Sequence, residues 1–179
     1  MASEVLADLY FMLPTTLPRL QGDTVELRSM TSGDASALFQ IYSDPAVMEY
    51  TDEEPFNNPG TVSLMLQSVH TLLVKGESLE WAIVPIGSDT PIGTCGLHSF
   101  DESLHMAEVG CLSRQSAWGS GHMRAAITLL TIYARDVLGL SHLVADIHSD
   151  NRRAQRMFEK LGFRRVARES WSKALEKQA

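Results

Sequence analysis

The sequence predicts a mixed α/β domain with a mostly antiparallel sheet. Strand-like and helix-like segments follow the order β-α-α-β-β-β-α-β-α-β; the middle strands are joined by short turns, and the later ones are joined through helices. The 179 residues, 44% of them hydrophobic, supply one core and exclude a disordered chain. Residues 24–179 read as a single domain preceded by an N-terminal arm, residues 1–23.

The elements follow in order. Residues 24–28 (TVELR) alternate as a strand does, and Ser32-Gly33-Asp34 offers a cap for a helix with Ala37, Leu38, Ile41 and Tyr42 on one face. Asp44-Pro45 breaks that helix, and the polar stretch 51–60 is a loop. A second helix runs through Leu64, Leu66, Val69 and Leu73 to a stop at Lys75-Gly76. Residues 79–85, 91–100 and 105–113 are strand-like runs separated by the turn signals GSDT and DESL, as in a meander. A long amphipathic helix then carries Met123, Ala126, Ile127, Leu130, Tyr133, Ala134 and Val137, and ends at Gly139. Residues 141–149 form a strand, and Asp150 caps a helix over 151–161 that buries Ala154, Met157, Phe158 and Leu161 and stops at Gly162. Residues 163–168 are the last strand, and the ending ESWSKALEKQA reads as a short charged helix.

Net charge is −7, unevenly spread: residues 1–113 carry −13 and residues 114–179 carry +6. This asymmetry predicts that one end meets an anion and the other a cation. No aromatic residues interleave the basic stretch and the total is acidic, so no nucleic-acid partner is expected. No apolar run approaches the roughly 20 residues of a membrane helix, and Glu4 and Asp8 stand where a signal peptide would be basic, so a cytoplasmic protein with no membrane partner is expected. Cys95 and Cys111 make neither a disulfide framework nor a zinc site, and no metal is expected, His142, Asp146 and His148 forming only a weak triad.

The informative segment is Glu108–Arg124 (EVGCLSRQSAWGSGHMR). A strand runs into a loop with Gly119 and Gly121 and then directly into a long helix. Glycines there let a ligand approach the backbone, and the first helical N–H groups lack intrahelical partners, so Gly119, Ser120, Gly121, His122 and Met123 offer a phosphate site; the same glycines also suit a plain tight turn. Gly121 is not followed by the Lys-Ser/Thr of a Walker A loop, and Arg124 stands where a dinucleotide fingerprint needs its third glycine.

This run resembles the acyl-CoA motif of the GNAT acetyltransferases, more closely the RimJ/RimL type that acetylates ribosomal-protein N-termini: Glu108-Val109-Gly110 before the loop, Trp118-Gly119-Ser120-Gly121 within it and a long helix after. Asn151 to Phe163 (NRRAQRMFEKLGF) is similar to a second family segment, and residues 27–50 are similar to the first strand and helix. The resemblance implies a splayed, mostly antiparallel sheet of six to seven strands flanked by about four helices, with acetyl-CoA as co-substrate. It implies that backbone groups of Val109, Cys111, Leu112 and Ser113 hold the pantetheine. Trp118, Gly119, Ser120, Gly121, His122, Met123 and Arg124 would form the loop around the pyrophosphate, and Asn151 would bind the pantetheine arm or its water. Arg114, Arg124, Arg152, Arg153 and Arg156 are candidates for the 3′-phosphate.

Acetyl transfer needs a neutral amine, donors for the oxyanion and a proton for the leaving thiolate. Glu108 is the implied base, with His98 and His105 as weaker candidates, and the Val109 N–H is a donor for the thioester carbonyl. Positions that in relatives hold a Tyr acid and a Ser are Phe158 and Ala154, which leaves the acid to water, to Tyr133 or to another group. A cationic primary amine is the expected acceptor, drawn by Glu49, Asp52, Glu53, Glu54, Asp101 and Glu102. The alternative is a non-catalytic acyl-CoA-binding module. The chain lacks the family's final strand pattern, so its sheet edge would be left open, or be completed by a partner chain in a homodimer or by the N-terminal arm, residues 1–20.

Overall fold

The structure, a computed structural model, describes residues 13–103 and 105–176. Eight strands form one sheet in the order β1-β2-β3-β4-β5-β6-β8-β7. They are β1 (Leu20–Gln21), β2 (Val25–Arg28), β3 (Ser78–Pro85), β4 (Gly93–His98), β5 (Met106–Ser113), β6 (His142–Asp146), β7 (Arg164–Arg165) and β8 (Ser170–Ala174). Every pairing is antiparallel except β5 with β6. The described residues add helices α1 (Ala35–Tyr42), α2 (Pro45–Met48), α3 (Thr61–Val74), α4 (His122–Asp136) and α5 (Arg152–Lys160). The architecture is the mixed α/β one expected, with an eighth strand and a fifth helix beyond the expected numbers. The two strands beyond the six in the segment order are β1, a two-residue pairing at the sheet margin too short for alternation to register, and β8, which read as a helix. The extra helix, α2, begins at the Asp44-Pro45 break: Asp44 accepts the Ala46 N–H at 2.9 Å and Pro45 starts the new turn.

One sheet face, carrying Leu27, Leu79, Trp81, Ile83, Leu97 and Leu143, packs with α4 residues Ile127 and Leu130 in the larger core. A smaller core of Leu38, Ile41, Tyr42, Val47, Met48 and Val62 joins α1, α2 and α3, with Leu112 and Trp118 against it. Two residues assigned to buried helical faces lie outside: Leu64 is 65% exposed and Val137 is 56% exposed, α3 burying Val62 and Leu73 instead. The stop of α5 is as expected, with Gly162 at φ +89°, the Phe163 N–H donating to Phe158 O, and the two rings in edge contact at 4.9 Å. Its cap is Asn151, not Asp150, Oδ1 accepting the Ala154 N–H at 3.2 Å.

The chain end corrects the expected helix. Ser170–Ala174 is a strand that enters the sheet between β6 and β7, with Trp171 paired to Ala145 and 7% exposed. Lys173, which made the segment look helical and solvated, lays its stem near Phe163 and donates from Nζ to Leu161 O at 2.6 Å. The chain therefore fills this edge itself, and an open edge is no longer a reason to expect a partner chain there. The arm contributes at the opposite edge, through β1 on β2 and through Pro18 O, which accepts the Trp81 indole N–H at 2.9 Å. Residues 1–12, including Glu4 and Asp8, lie outside the described residues.

A bidentate ion pair fixes the start of α1. Arg28 on β2 donates to both oxygens of Asp34 at 2.8 Å, and Asp34 also accepts the Thr31 N–H at 2.8 Å. Burial alone would raise the Asp34 carboxyl, but these bonds outweigh it and hold it below its ordinary value of 3.8. A depressed carboxyl adds stability above its unfolded pKa and loses it as pH falls through the folded one. Asp34→Ala should therefore cost about 3 kcal/mol in denaturant titrations at pH 7, since it strands a largely buried guanidinium. The difference from the parent protein should shrink as pH falls below 3.8.

Candidate active site

The site begins where two strands part. Glu108–Ser113 of β5 pairs with β4, but only Met106, Ala107 and Glu108 pair with β6, so Glu108 alone has a strand partner on each side, His98 and Val144. Beyond it, the second edge of β5 has no neighbouring strand, and backbone polar groups there need another partner. A cavity of about 1040 Å³ opens at this point and runs over α4 to α5. A second of about 480 Å³ lies on the β8 side, and Glu108 borders both.

Strand β5 leads into a 3₁₀ turn at Gln115–Ala117, tied to α2 by Gln115 Nε2, which donates to Asp44 Oδ2 at 2.9 Å. Trp118 is pinned by its indole N–H, which donates to Ser113 O at 2.9 Å, and the Arg153 guanidinium stacks 3.4 Å above its ring. Gly119 at φ +75° and Gly121 at φ +85° turn the chain into α4, with open space where a side chain would stand. The Met123 and Arg124 N–H groups precede the first intrahelical bond, from Ala125 N–H to Gly121 O at 3.0 Å. These N–H groups have no intrahelical partner and stand at the positive end of α4.

Of the expected site residues, Glu108, Val109, Cys111, Leu112, Ser113, Trp118, Gly119, Gly121, Met123, Arg124 and Asn151 all line the large cavity. Ser120 and His122 do not; they brace the turn, Ser120 Oγ donating to Ala117 O at 2.6 Å and accepting the His122 N–H at 3.3 Å. Asn151 spends Oδ1 on the helix cap. Arg124, Arg153 and Arg156 line the cavity, while Arg114 and Arg152 do not.

Glu108 keeps 29% of its side chain exposed, and its Oε2 is 4.0 Å from His98 Nδ1, which in turn meets Ser99 Oγ at 2.9 Å. His105 belongs to the β4–β5 turn, where its N–H and that of Met106 donate to Asp101 Oδ1 at 2.7 Å. Asp101 thus organises the turn, and neither it nor Glu102 lines the cavity; Glu49 and Glu54 also lie off it. Asp52 and Glu53 do line it. Tyr133 does not reach the site: it is 6% exposed in the core, edge-on to Trp81 at 5.6 Å, and burial raises its hydroxyl pKa. Phe158 and Ala154 line the cavity with no proton to give.

The sequence reading missed Glu80. It sits on β3 within the apolar run LEWAIVP and faces the cavity, opposite Gly96, which is itself opposite Gly110. Burial, reinforced by the negative charge of Glu53, pushes the Glu80 carboxyl up to about 7. A charged residue amid buried neighbours was the available signal. Nearby, the Tyr42 and Thr94 hydroxyls bond at 2.8 Å, and burial raises Tyr42. Cys95 and Cys111 face each other across β4 and β5 as free thiols, both raised by burial, Cys111 to about 12. Among the described residues no group of His, Cys, Asp and Glu side chains is arranged to hold a metal ion, and no helix is long and apolar enough to cross a membrane.

Known proteins share this fold. A family model described as an acetyltransferase (GNAT) domain matches residues 24–164. The uncharacterized N-acetyltransferase p20 of Bacillus licheniformis is 29% identical over 146 residues, 82% of each chain, and YoaA of Bacillus subtilis, described in the same words, is 28% identical over 148 residues, 83% of this chain and 84% of that one. A GNAT-family acetyltransferase from Bacillus anthracis superimposes with a TM-score of 0.78 at 18% identity, covering 89% of this chain and all of the other. A spermidine N-acetyltransferase from Vibrio cholerae, solved with CoA and spermine, superimposes at 0.74 and 16% identity, covering 84% of this chain and 95% of that one. The ribosomal-protein-S5-alanine acetyltransferase of Vibrio fischeri superimposes at 0.75 and 17% identity, covering 89% and 98%. The parted strands, the glycine-flanked start of α4 and the match over residues 24–164 agree: this chain belongs to the GNAT acetyltransferases.

Proposed function

We propose that this protein transfers the acetyl group of acetyl-CoA to a primary amine by direct attack within a ternary complex. The observation carrying this reading is the crevice beyond Glu108, where the free edge of β5 and the start of α4 open onto one cavity. The residues fit the coenzyme. Backbone groups of Val109 and Cys111, and the Ser113 N–H, point to the free edge and suit the pantetheine amides, which would add to β5 as a strand does, whereas those of Leu112 turn toward β4. The loop from Trp118 through Arg124 suits the pyrophosphate: Gly119, Gly121 and the Met123 and Arg124 N–H groups face it, while Ser120 and His122 hold its shape. Of the candidate arginines, Arg124 and Arg156 line the cavity and would meet the 3′-phosphate, whereas Arg153 stacks on Trp118. The Asn151 amide nitrogen remains available for the pantetheine arm or its water.

Bound acetyl-CoA supplies an activated thioester. In the chain, the Val109 N–H polarises the thioester carbonyl, and Glu108, 4.0 Å from His98, takes the proton that the amine gives up. The N–C bond forms as the C–S bond breaks, and the proton ends on the departing sulfur through water, because Phe158 and Ala154 offer none. An α-amino group, with a pKa of about 7.7–8.0, needs only such a modest base. The acidic cavity wall at Asp52, Glu53 and Glu80 favours a cationic acceptor, whether a protein N-terminus, as in the RimJ/RimL type, or a small amine.

Phe158 and Ala154 favour a second reading, a coenzyme-binding module without turnover. Release of free CoA thiol with a panel of amines separates the two: amine-dependent release supports the enzyme, and binding without release supports the module. Acetyl-CoA at 100 times its Kd should stabilise the fold by about 2.7 kcal/mol in thermal unfolding. Glu108→Gln should lower kcat by about 100-fold and leave coenzyme affinity unchanged in calorimetric titration. Gly121→Val, which forces a β-branched residue to φ +85°, should weaken CoA binding about tenfold or more, read by the same titration.

A further inference from the structure

Two rows of residues cross the cavity face of the central strands. One is Glu80, Gly96 and Gly110, and the next is Ser78, His98 and Glu108. The glycines form a bare floor with polar groups at either side. A Cβ on Gly96 would collide with Glu80 Oε2, so the Glu80 carboxylate lies across that glycine. A Cβ on Gly110 would stand 3.3 Å from His98 Nε2, so the imidazole leans over the other. Glu108 lies beyond His98, two strand spacings of about 4.8 Å from β3.

Glu80 has nothing to balance it. Among the described residues no hydrogen bond or ion pair reaches its carboxylate, and its surroundings contribute only burial and the charge of Glu53. A carboxylate kept in an enclosed space without a cation is costly to the fold, and a bound ammonium would relieve that cost. The residue is only partly exposed, and it lines the same cavity as Glu108. A methylene chain laid over Gly96 and Gly110 would place one end at Glu80 and the other at His98 and Glu108.

We propose that Glu80 anchors the acceptor, pairing with a second ammonium group of an aliphatic di- or polyamine whose other amine is acetylated beside Glu108 and His98. This rests on the acetyl-transfer reading above and names the acceptor class. It makes Glu80 a recognition residue, separate from the group that takes the proton.

Steady-state kinetics with 1,3-diaminopropane through 1,8-diaminooctane, against n-alkylamines of equal length, test it. The parent protein should prefer diamines with an optimum chain length. Glu80→Gln should raise KM for diamines by about tenfold or more, keep kcat within about twofold and abolish the preference. Glu80→Asp, retaining the charge on a shorter stem, should restore the preference with a longer optimum chain. A loss of kcat common to mono- and diamines at unchanged KM would overturn the proposal and make Glu80 the proton acceptor. Unchanged kinetics, or no diamine preference in the parent protein, would overturn it as well. Calorimetric titration of 1,4-diaminobutane into the CoA-bound protein reads the anchor without turnover. Glu80-dependent binding with no thiol release from any amine would sustain the anchor and sink the acetyl-transfer reading; thiol release with Glu80-independent binding would do the reverse. Folding is controlled by the thermal shift with CoA, which Glu80→Gln should retain, and by its own melting temperature at pH 8, which should rise as the unbalanced charge is removed.

Discussion

The short parallel pairing of β5 with β6 is the constraint on which the site depends. Three residues of each strand pair and then the two part, β6 keeping five pairs with β8 on its other edge and β5 staying with β4. Each strand keeps full pairing on its other side, so the parting leaves the sheet intact. What it creates is a strand edge inside the molecule, its amide groups facing space instead of a neighbour. In most folds such an edge is covered or blunted. Here it ends at Glu108 on one side and runs into the start of α4 on the other, so backbone donors, a helix N-terminus and a carboxylate share one opening.

Electrostatics follow from the same geometry. The basic C-terminal part of the sequence is not a solvated tail: α5 carries Arg153 and Arg156 to the cavity, and α4 brings Arg124. The Arg153 guanidinium stacks on the face of Trp118 and braces the loop ahead of α4. The acidic part divides differently from its appearance in sequence. Asp34 and Asp44 serve the packing of α1 and α2, Asp101 serves a turn, and the residues left at the cavity are Asp52, Glu53, Glu80 and Glu108. The cavity wall therefore carries arginines from α4 and α5 together with carboxylates from the first 113 residues.

Much of this was legible beforehand because it depends on local rules. Helical and strand periodicities, the Gly162 stop with its Phe158–Phe163 contact, and the Gly119–Gly121 loop all report interactions between residues near in sequence. The illegible parts depend on partners remote in sequence. Ser170–Ala174 becomes a strand because β6 presents an unpaired edge to it, which outweighs the weak helical preference of a charged segment. Tyr133 had the right chemistry for a proton donor, but α4 turns it onto Trp81. Glu80 was not singled out because only the register reveals Gly96 opposite it and Gly110 beyond.

The sequence alone determined the family, the mixed α/β class, most of the elements and the glycine-flanked turn into α4, since each is written in contiguous residues whose spacing is local. The tertiary structure decided which acids reach the cavity, which arginines face it, how the last strand enters the sheet and that Glu80 lies unbalanced over a glycine floor. Those outcomes rest on strand register and helix rotation, and a shift of one residue in either would turn the same side chains away from the site.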